Sequence, residues 1–278
     1  MSVTSLMSAP FRIDGQPESR NSAFPKLCLV AAGSLRNNRE STAVQPLEPP
    51  YRPSLRAIGP NRRALVAAAG AGLSAALLPA GAKAAPGASR VIGIGSAGGL
   101  RLGLQSYPQT LALAPREVVL TFDDGPVSGP TDRVLDALGA ENVRATFFCI
   151  GRNAAANPAL ARRIVAEGHT LAHHSFSHPW TFRQRGEAAG REDIERGFRA
   201  VEEAGHGAYA GAPRVPFFRY PGFADTAPLN EWLAERGVGV FGCDLWASDW
   251  TPISPEAQLS LVMRRLRRAG GGIVLFHD

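Results

Sequence analysis

The nine residues Val118–Pro126, VVLTFDDGP, constrain this chain more than any other stretch. Val118–Phe122 is a short apolar run of β-branched and aromatic residues, which predicts a buried strand. It runs directly into two carboxylates, Asp123 and Asp124, and Gly125-Pro126 then ends it. Adjacent residues at a strand end leave the pleat on opposite sides, so the two acids are free to take different tasks. Alone, Asp-Asp-Gly-Pro is ordinary turn chemistry. A histidine cluster about fifty residues on, and the end of the chain, give it a chemical reading.

From Gly103 onward, strand and helix patterns alternate. Thr131 opens a helix that runs through Leu138 to Gly139, and Ala145–Ile150 reads as the next strand. Asn157-Pro158, an N-cap and first-turn pair, starts a helix closed by Gly168. Ile194, Phe198 and Val201 line another, stopped by Gly205. Phe217–Arg219 is a short strand, and Leu229, Trp232 and Leu233 stripe a helix ending at Gly237. Val238–Asp244 is a strand, Leu259–Leu266 a helical stripe, and Ile273–Phe276 the last strand. Such repeated βα units predict a parallel α/β sheet, open or closed into a barrel.

The segment before this differs in kind. Residues 1–60 are rich in Pro, Ser, Asn and Arg without a sustained period, and read as disordered or untranslated. Arg62-Arg63, the apolar run Ala64–Leu78 and Ala82-Lys83-Ala84 are the three parts of a secretory signal, with cleavage expected after Ala84. The twin arginines also fit a twin-arginine export route. About 15 apolar residues are too few to span a bilayer, so no stable span is expected in the mature protein. Export is therefore the expectation, and a cytoplasmic location follows only if the leader is not functional. Residues 85–102 read as a linker and 103–278 as the globular domain that carries the candidate site residues. The net charge of +6 belongs to the leader, because residues 85–278 carry twenty Arg, no Lys and twenty acids. A neutral globular part argues against a nucleic-acid partner. Cys149 and Cys243 lie in apolar strand-like runs and read as buried thiols rather than a disulfide.

All six histidines follow residue 168, and four fall within HTLAHHSFSH. His174 and His178 stand four apart, which on a helical turn places both imidazoles on one face, able to grip one metal ion. His169 and His173 are a competing pair at the same spacing. Two His and one Asp would leave coordination positions open, as catalysis requires.

TFDDGP at 121–126 and HSFSHP at 174–179 resemble the first two motifs of the polysaccharide deacetylases, carbohydrate esterase family 4, the nodulation-protein-B homology domain. Arg219-Tyr220-Pro221-Gly222 is similar to the third, Asp249-Trp250 to the end of the fourth, and Ile273–Asp278 (IVLFHD) to the fifth. The similarity runs from about Tyr107 to the last residue.

The resemblance implies a distorted (β/α) barrel and one divalent metal ion, zinc with cobalt or nickel as alternatives, held by Asp124, His174 and His178. It implies Asp123 as general base, Arg219 as its orienting partner and His277 as general acid, with a main-chain N–H near Tyr220 steadying the oxyanion. Tyr220, Pro221, Trp246, Trp250 and Leu275 are the candidate substrate-binding residues, and Ser175 reads as a local cap or as a donor behind the ligands. Two departures stand out. Trp246 occupies the position of the fourth motif's first Asp, so Asp244 is expected to supply the missing carboxylate near His277. The chain also stops one residue after His277, so the barrel is expected to lack a C-terminal helix and to leave its last strand uncovered.

The activity implied is removal of N-acetyl groups from N-acetylglucosamine units of chitin, chito-oligosaccharide or peptidoglycan, through a metal-activated water. An O-acetyl esterase acting on xylan, and an inactive glycan-binding domain, are the alternative readings.

Overall fold

The computed structural model describes residues 26–31, 89–96 and 98–278. Eight parallel strands form the body of the sheet, in the order β9-β10-β4-β5-β6-β7-β8-β3. These are β3 (Arg101–Leu102), β4 (Glu117–Asp123), β5 (Thr146–Cys149), β6 (Thr170–His173), β7 (Phe217–Phe218), β8 (Gly239–Phe241), β9 (Leu245–Trp246) and β10 (Gly272–His277). Two further strands, β1 (Lys26–Ala31) and β2 (Ser89–Gly93), pair antiparallel, and β1 reaches Glu117 and Val118 of β4. The helices are α1 (Pro130–Ala140), α2 (Gly151–Ala156), α3 (Pro158–Ala166), α4 (Glu187–His206), α5 (Ala227–Glu235) and α6 (Pro255–Ala269).

Both faces of a parallel sheet are covered, and strand alternation sorts the side chains between them. Val119, Phe148, Ala172, Phe217, Ile273 and Leu275 point into the curl and pack together with Phe241 and Cys243. Phe147, Cys149 and Leu171 point outward, against Leu135 and Leu138 of α1, Ile164 of α3 and Val201 of α4. The same alternation puts Asp123, Arg219 and His277 at inward positions at the strands' C-terminal ends. Asp123 is directly in register with His277.

The curl is drawn together at Asp244, between β8 and β9. Its N–H donates to Ile273 O of β10 at 2.8 Å. Its carboxylate accepts from Ile273 N (2.8 Å), and from Leu104 N (2.8 Å) and Thr110 Oγ1 (2.6 Å) beyond β3. The sheet is thus a half-barrel whose two ends meet at Asp244, with Gln105 adding bonds from N to Cys243 O (2.9 Å) and from Nε2 to Asp244 O (2.9 Å).

Three expectations change here. The segment 85–102 is not a bare linker, since it supplies β2 and β3. Six residues of the segment read as disordered, Lys26–Ala31, form β1. The rest of residues 1–60 and the signal-like segment 61–84 lie outside the described residues. The last strand is not uncovered: β10 is flanked by β4 and β9, and its outward Val274 and Phe276 pack with Val262 and Leu266 of α6. Alternation hides this cover in the sequence, because α6 precedes the strand it protects. The thiols of Cys149 and Cys243 are free and buried, as expected. Among the described residues no helix is long and apolar enough to cross a membrane.

Candidate active site

Asp123 ends β4 facing inward and is almost fully buried. Arg219, at 0 % exposure, donates from Nη1 to Asp123 Oδ1 at 2.6 Å and to Thr121 Oγ1 at 2.8 Å. Its Nη2 donates to Gly242 O (2.7 Å) and its Nε to Phe241 O (3.2 Å), while its plane lies 4.1 Å over the Phe148 ring. A buried guanidinium needs this many partners to offset its desolvation. Burial pushes the Asp123 carboxyl above its ordinary range, against the pull of Arg219 and His277 in the other direction.

Asp124 does not follow the strand. Its φ of 77° is left-handed, a conformation Asp tolerates better than most residues, and Asn153 Nδ2 donates to its carbonyl at 2.7 Å. This turn replaces the expected departure to opposite sides: both carboxylates reach the same centre. Asp124 Oδ1 lies 3.5 Å from His174 Nε2 and 3.2 Å from His178 Nε2. It is buried without a hydrogen-bond donor.

His174 and His178 do share one face, but on a loop following β6 and not on a helical turn. Ser175 (φ 61°) and His178 (φ 48°) are both left-handed, and Ser175 Oγ accepts from His178 N at 3.1 Å. That confirms the local capping role of Ser175. His174 Nδ1–H donates to Arg219 O at 2.7 Å, which directs the lone pair of Nε2 toward Asp124. Burial, with His178 beside it, holds His174 down to a pKa of about 3, so its ring is neutral. The competing pair is elsewhere: His169 Nδ1 accepts from Ala145 N, and His173 points outward at Phe198 and Glu202.

The three residues fit a metal ion. Their ligand atoms lie within 4.8 Å of one another. Bonds of 2.0–2.1 Å in a tetrahedral site place donors roughly 3.3 Å apart, close to both contacts of Asp124. Two imidazole nitrogens and an undonated carboxylate oxygen are the donor set of zinc and its neighbours.

His277 stands across from them at the end of β10. Asp249 accepts from its Nδ1–H at 2.8 Å and from its backbone N–H at 2.6 Å. Burial alone would hold the His277 pKa down; the Asp249 hydrogen bond and the charge of Asp123 outweigh it, and the net shift is upward. Asp249, not Asp244, is therefore the carboxylate of His277, because Asp244 is spent on closing the curl. Arg265 of α6 donates to Trp246 O and to Ser248 Oγ (2.8 Å), fixing the loop that carries Asp249.

The candidate substrate residues divide. Trp250, 52 % exposed, stands perpendicular to His277 with ring centres 5.5 Å apart, and Trp246 packs against it at 5.8 Å. Tyr220, Pro221 and Leu275 have buried side chains, so none forms an accessible wall. Tyr220 packs its ring on Phe182 and Phe218, although its backbone N–H donates to no acceptor among the described residues. Sequence reasoning missed Asp278, whose carboxylate accepts from Gly125 N (3.2 Å) and Thr131 Oγ1 (2.6 Å) and so braces the turn behind Asp124.

A buried acid held by an arginine, an imidazole whose pKa a second acid raises, and a candidate cation site beside the first acid are the equipment of a hydrolase. The sequence profile of the family "Polysaccharide deacetylase" matches residues 111–239. A chitooligosaccharide deacetylase of Sinorhizobium fredii is 35% identical over 177 residues, 63% of this chain and 77% of that protein. A peptidoglycan-N-acetylglucosamine deacetylase of Bacillus cereus is 51% identical over 162 residues, 58% of this chain and 56% of that one. Among solved structures, a peptidoglycan deacetylase of Bdellovibrio bacteriovorus superposes with a TM-score of 0.56 at 30% identity, covering 66% of this chain and 49% of its own. The chain belongs to the polysaccharide deacetylase family, and it is an enzyme of the deacetylase class.

Proposed function

We propose that this enzyme removes the N-acetyl group from N-acetylglucosamine units of a chitin-type oligosaccharide or of peptidoglycan. The observation that carries the reading is the juxtaposition of Asp123 with both the Asp124–His174–His178 cluster and, in register, His277. The relatives named above, which act on glucosamine-containing glycans, support the substrate class.

A divalent cation held by Asp124, His174 and His178, zinc with cobalt or nickel as alternatives, would supply Lewis acidity toward the acetyl carbonyl and the attacking water. The chain's own residues do the rest. Asp123 Oδ2, the oxygen not bonded to Arg219, takes the proton from the water as it attacks. The Tyr220 N–H donates to the carbonyl oxygen as charge develops there, a kind of contact worth roughly 3 kcal/mol of barrier. His277 delivers its Nε2 proton to the amine nitrogen as the C–N bond breaks, and Asp249 steadies the imidazolium until then. Acetate and a free amine leave.

Acetate release, measured with added metal on chitin oligomers, peptidoglycan and acetyl-xylan, tests the proposal. Release from the first two supports it. Release from acetyl-xylan alone would make the enzyme an O-acetyl esterase, and release from none would leave a glycan-binding domain.

We also infer that the mature protein begins near Ala85 outside the cytoplasm, its sheet then lacking β1. This rests on Arg62-Arg63, Ala64–Leu78 and Ala82-Lys83-Ala84, a segment outside the described residues. N-terminal sequencing of protein from the native cell checks it, and a mature chain that still carries residues 1–60 would refute it.

A further inference from the structure

We propose that Trp180 is a stacking platform for a sugar ring beyond the reacting one on the His178 side, so that the enzyme favours long glycans over disaccharides. The proposal rests on the reading of the substrate as an acetylated glycan.

Trp180 is 92 % exposed, the highest exposure of any large hydrophobic side chain among the described residues. Leaving an indole in water forgoes burial that would otherwise favour folding, and this one stands against a histidine of the centre. The loop that presents it is not loose. The Asp193 carboxylate accepts from Phe176 N (3.2 Å), Ser177 N (3.3 Å) and Ser177 Oγ (2.6 Å). On the far side, Phe182 is buried and its N–H donates to Pro179 O at 3.1 Å. The indole is thus held out by a fixed frame, which lowers the entropy lost on binding.

Its position matches that of Trp250. Trp180 stands perpendicular to His178 with ring centres 5.9 Å apart, as Trp250 stands to His277 at 5.5 Å. One follows β6 and the other β9, on opposite sides of β4 along the sheet. Each tryptophan therefore flanks one histidine of the centre. Six large hydrophobic side chains are exposed among the described residues, and five of them follow C-terminal ends of parallel strands: Leu104, Val127, Trp180, Trp250 and Ile253. Exposed apolar side chains on the strand ends that carry the polar centre, on a part of the chain with no net charge, suit the apolar faces of an uncharged polymer of rings.

The test measures kcat and KM for the parent, Trp180→Ala and Trp180→Phe on chitin disaccharide and pentasaccharide. Elemental analysis of each preparation shows whether the metal site is intact. Trp180→Ala should raise KM for the pentasaccharide about tenfold, with the disaccharide KM, both kcat values and metal content unchanged. Trp180→Phe should recover most of the loss. An equal rise for both lengths, or none, overturns the platform. So does a change of oligomeric state in Trp180→Ala without a length effect, which would assign the indole to a contact between copies. If the parent releases no acetate at all, the activity reading fails by itself. Pentasaccharide quenching of indole fluorescence in the parent, lost in Trp180→Ala, then still upholds the platform, and quenching equal in both overturns it.

Discussion

Asp123 and Asp124 are neighbours that one peptide bond sets to different work. Asp123 keeps the strand's geometry and meets a guanidinium, whereas Asp124 turns left-handed and meets two imidazoles. Replacing Asp123 with Asn keeps an acceptor for Arg219 but removes the base. Asp123→Asn should retain metal and lose roughly 10²–10⁴ in kcat. Asp124→Ala should lose both metal and activity, with partial recovery in excess metal. Elemental analysis and acetate release on the same preparations decide, and equal metal loss in both variants would break the assignment. At His277 the upward pKa shift depends on Asp249. An acid must be protonated to act, so activity falls as pH rises through its pKa. Asp249→Asn removes the largest of the causes that raise that pKa, so the alkaline limb of kcat/KM should move to lower pH. A limb that stays in place would mean that another group titrates there.

At the scale of elements, the ligand loop depends on a helix that touches no substrate. Gly197 of α4 lies against Ser175 so closely that a Cβ would come within 2.5 Å of the Ser175 carbonyl carbon and 2.8 Å of its oxygen. Main chain cannot step aside as a flexible side chain can. Gly197→Ala should therefore cost about 1–3 kcal/mol in stability and weaken metal affinity by displacing the His174–His178 loop. Chemical denaturation and a metal titration check the two effects, and an unchanged metal affinity would show that the loop adapts. This dependence was not legible in the sequence, where Gly197 sits among the stripe residues of an ordinary helix. What was legible was local. VVLTFDDGP announced a strand and its acids because an apolar run and a turn signal are contiguous. The spacing of His174 and His178 announced a shared face, though it suggested a helix where two left-handed residues make the turn. Asn157 is the N-cap residue the sequence announces, but its side chain caps no backbone N–H: its Nδ2 donates to Pro126 O and ties α3 to the turn after Asp124. Two-residue strands such as β3 and β9 carry no periodicity to detect.

At the scale of the whole molecule, the parallel architecture was predictable from the βα repeat, while the partner of each carboxylate was not. Asp244 and Asp249 are equivalent candidates for His277 on a linear chain. Only the pairing of β9 with β10, and the approach of the β3 loop, separates them. Their variants should therefore fail in opposite ways. Asp244→Ala removes the acceptor of Ile273 N, which is buried, along with those of Leu104 N and Thr110 Oγ1. A buried donor left unsatisfied costs about 1–3 kcal/mol, so the urea midpoint should fall by the equivalent of a few kcal/mol. The protein that remains folded should show an unmoved alkaline limb, since His277 keeps Asp249. Asp249→Asn should do the reverse, moving the limb with a small effect on the midpoint, because Asn still accepts one hydrogen bond. A stable Asp244→Ala variant would mean that packing and the remaining bonds of Gln105 and the 244 backbone close the curl without this carboxylate, and one that shifted the limb would return Asp244 to the role the sequence first suggested for it.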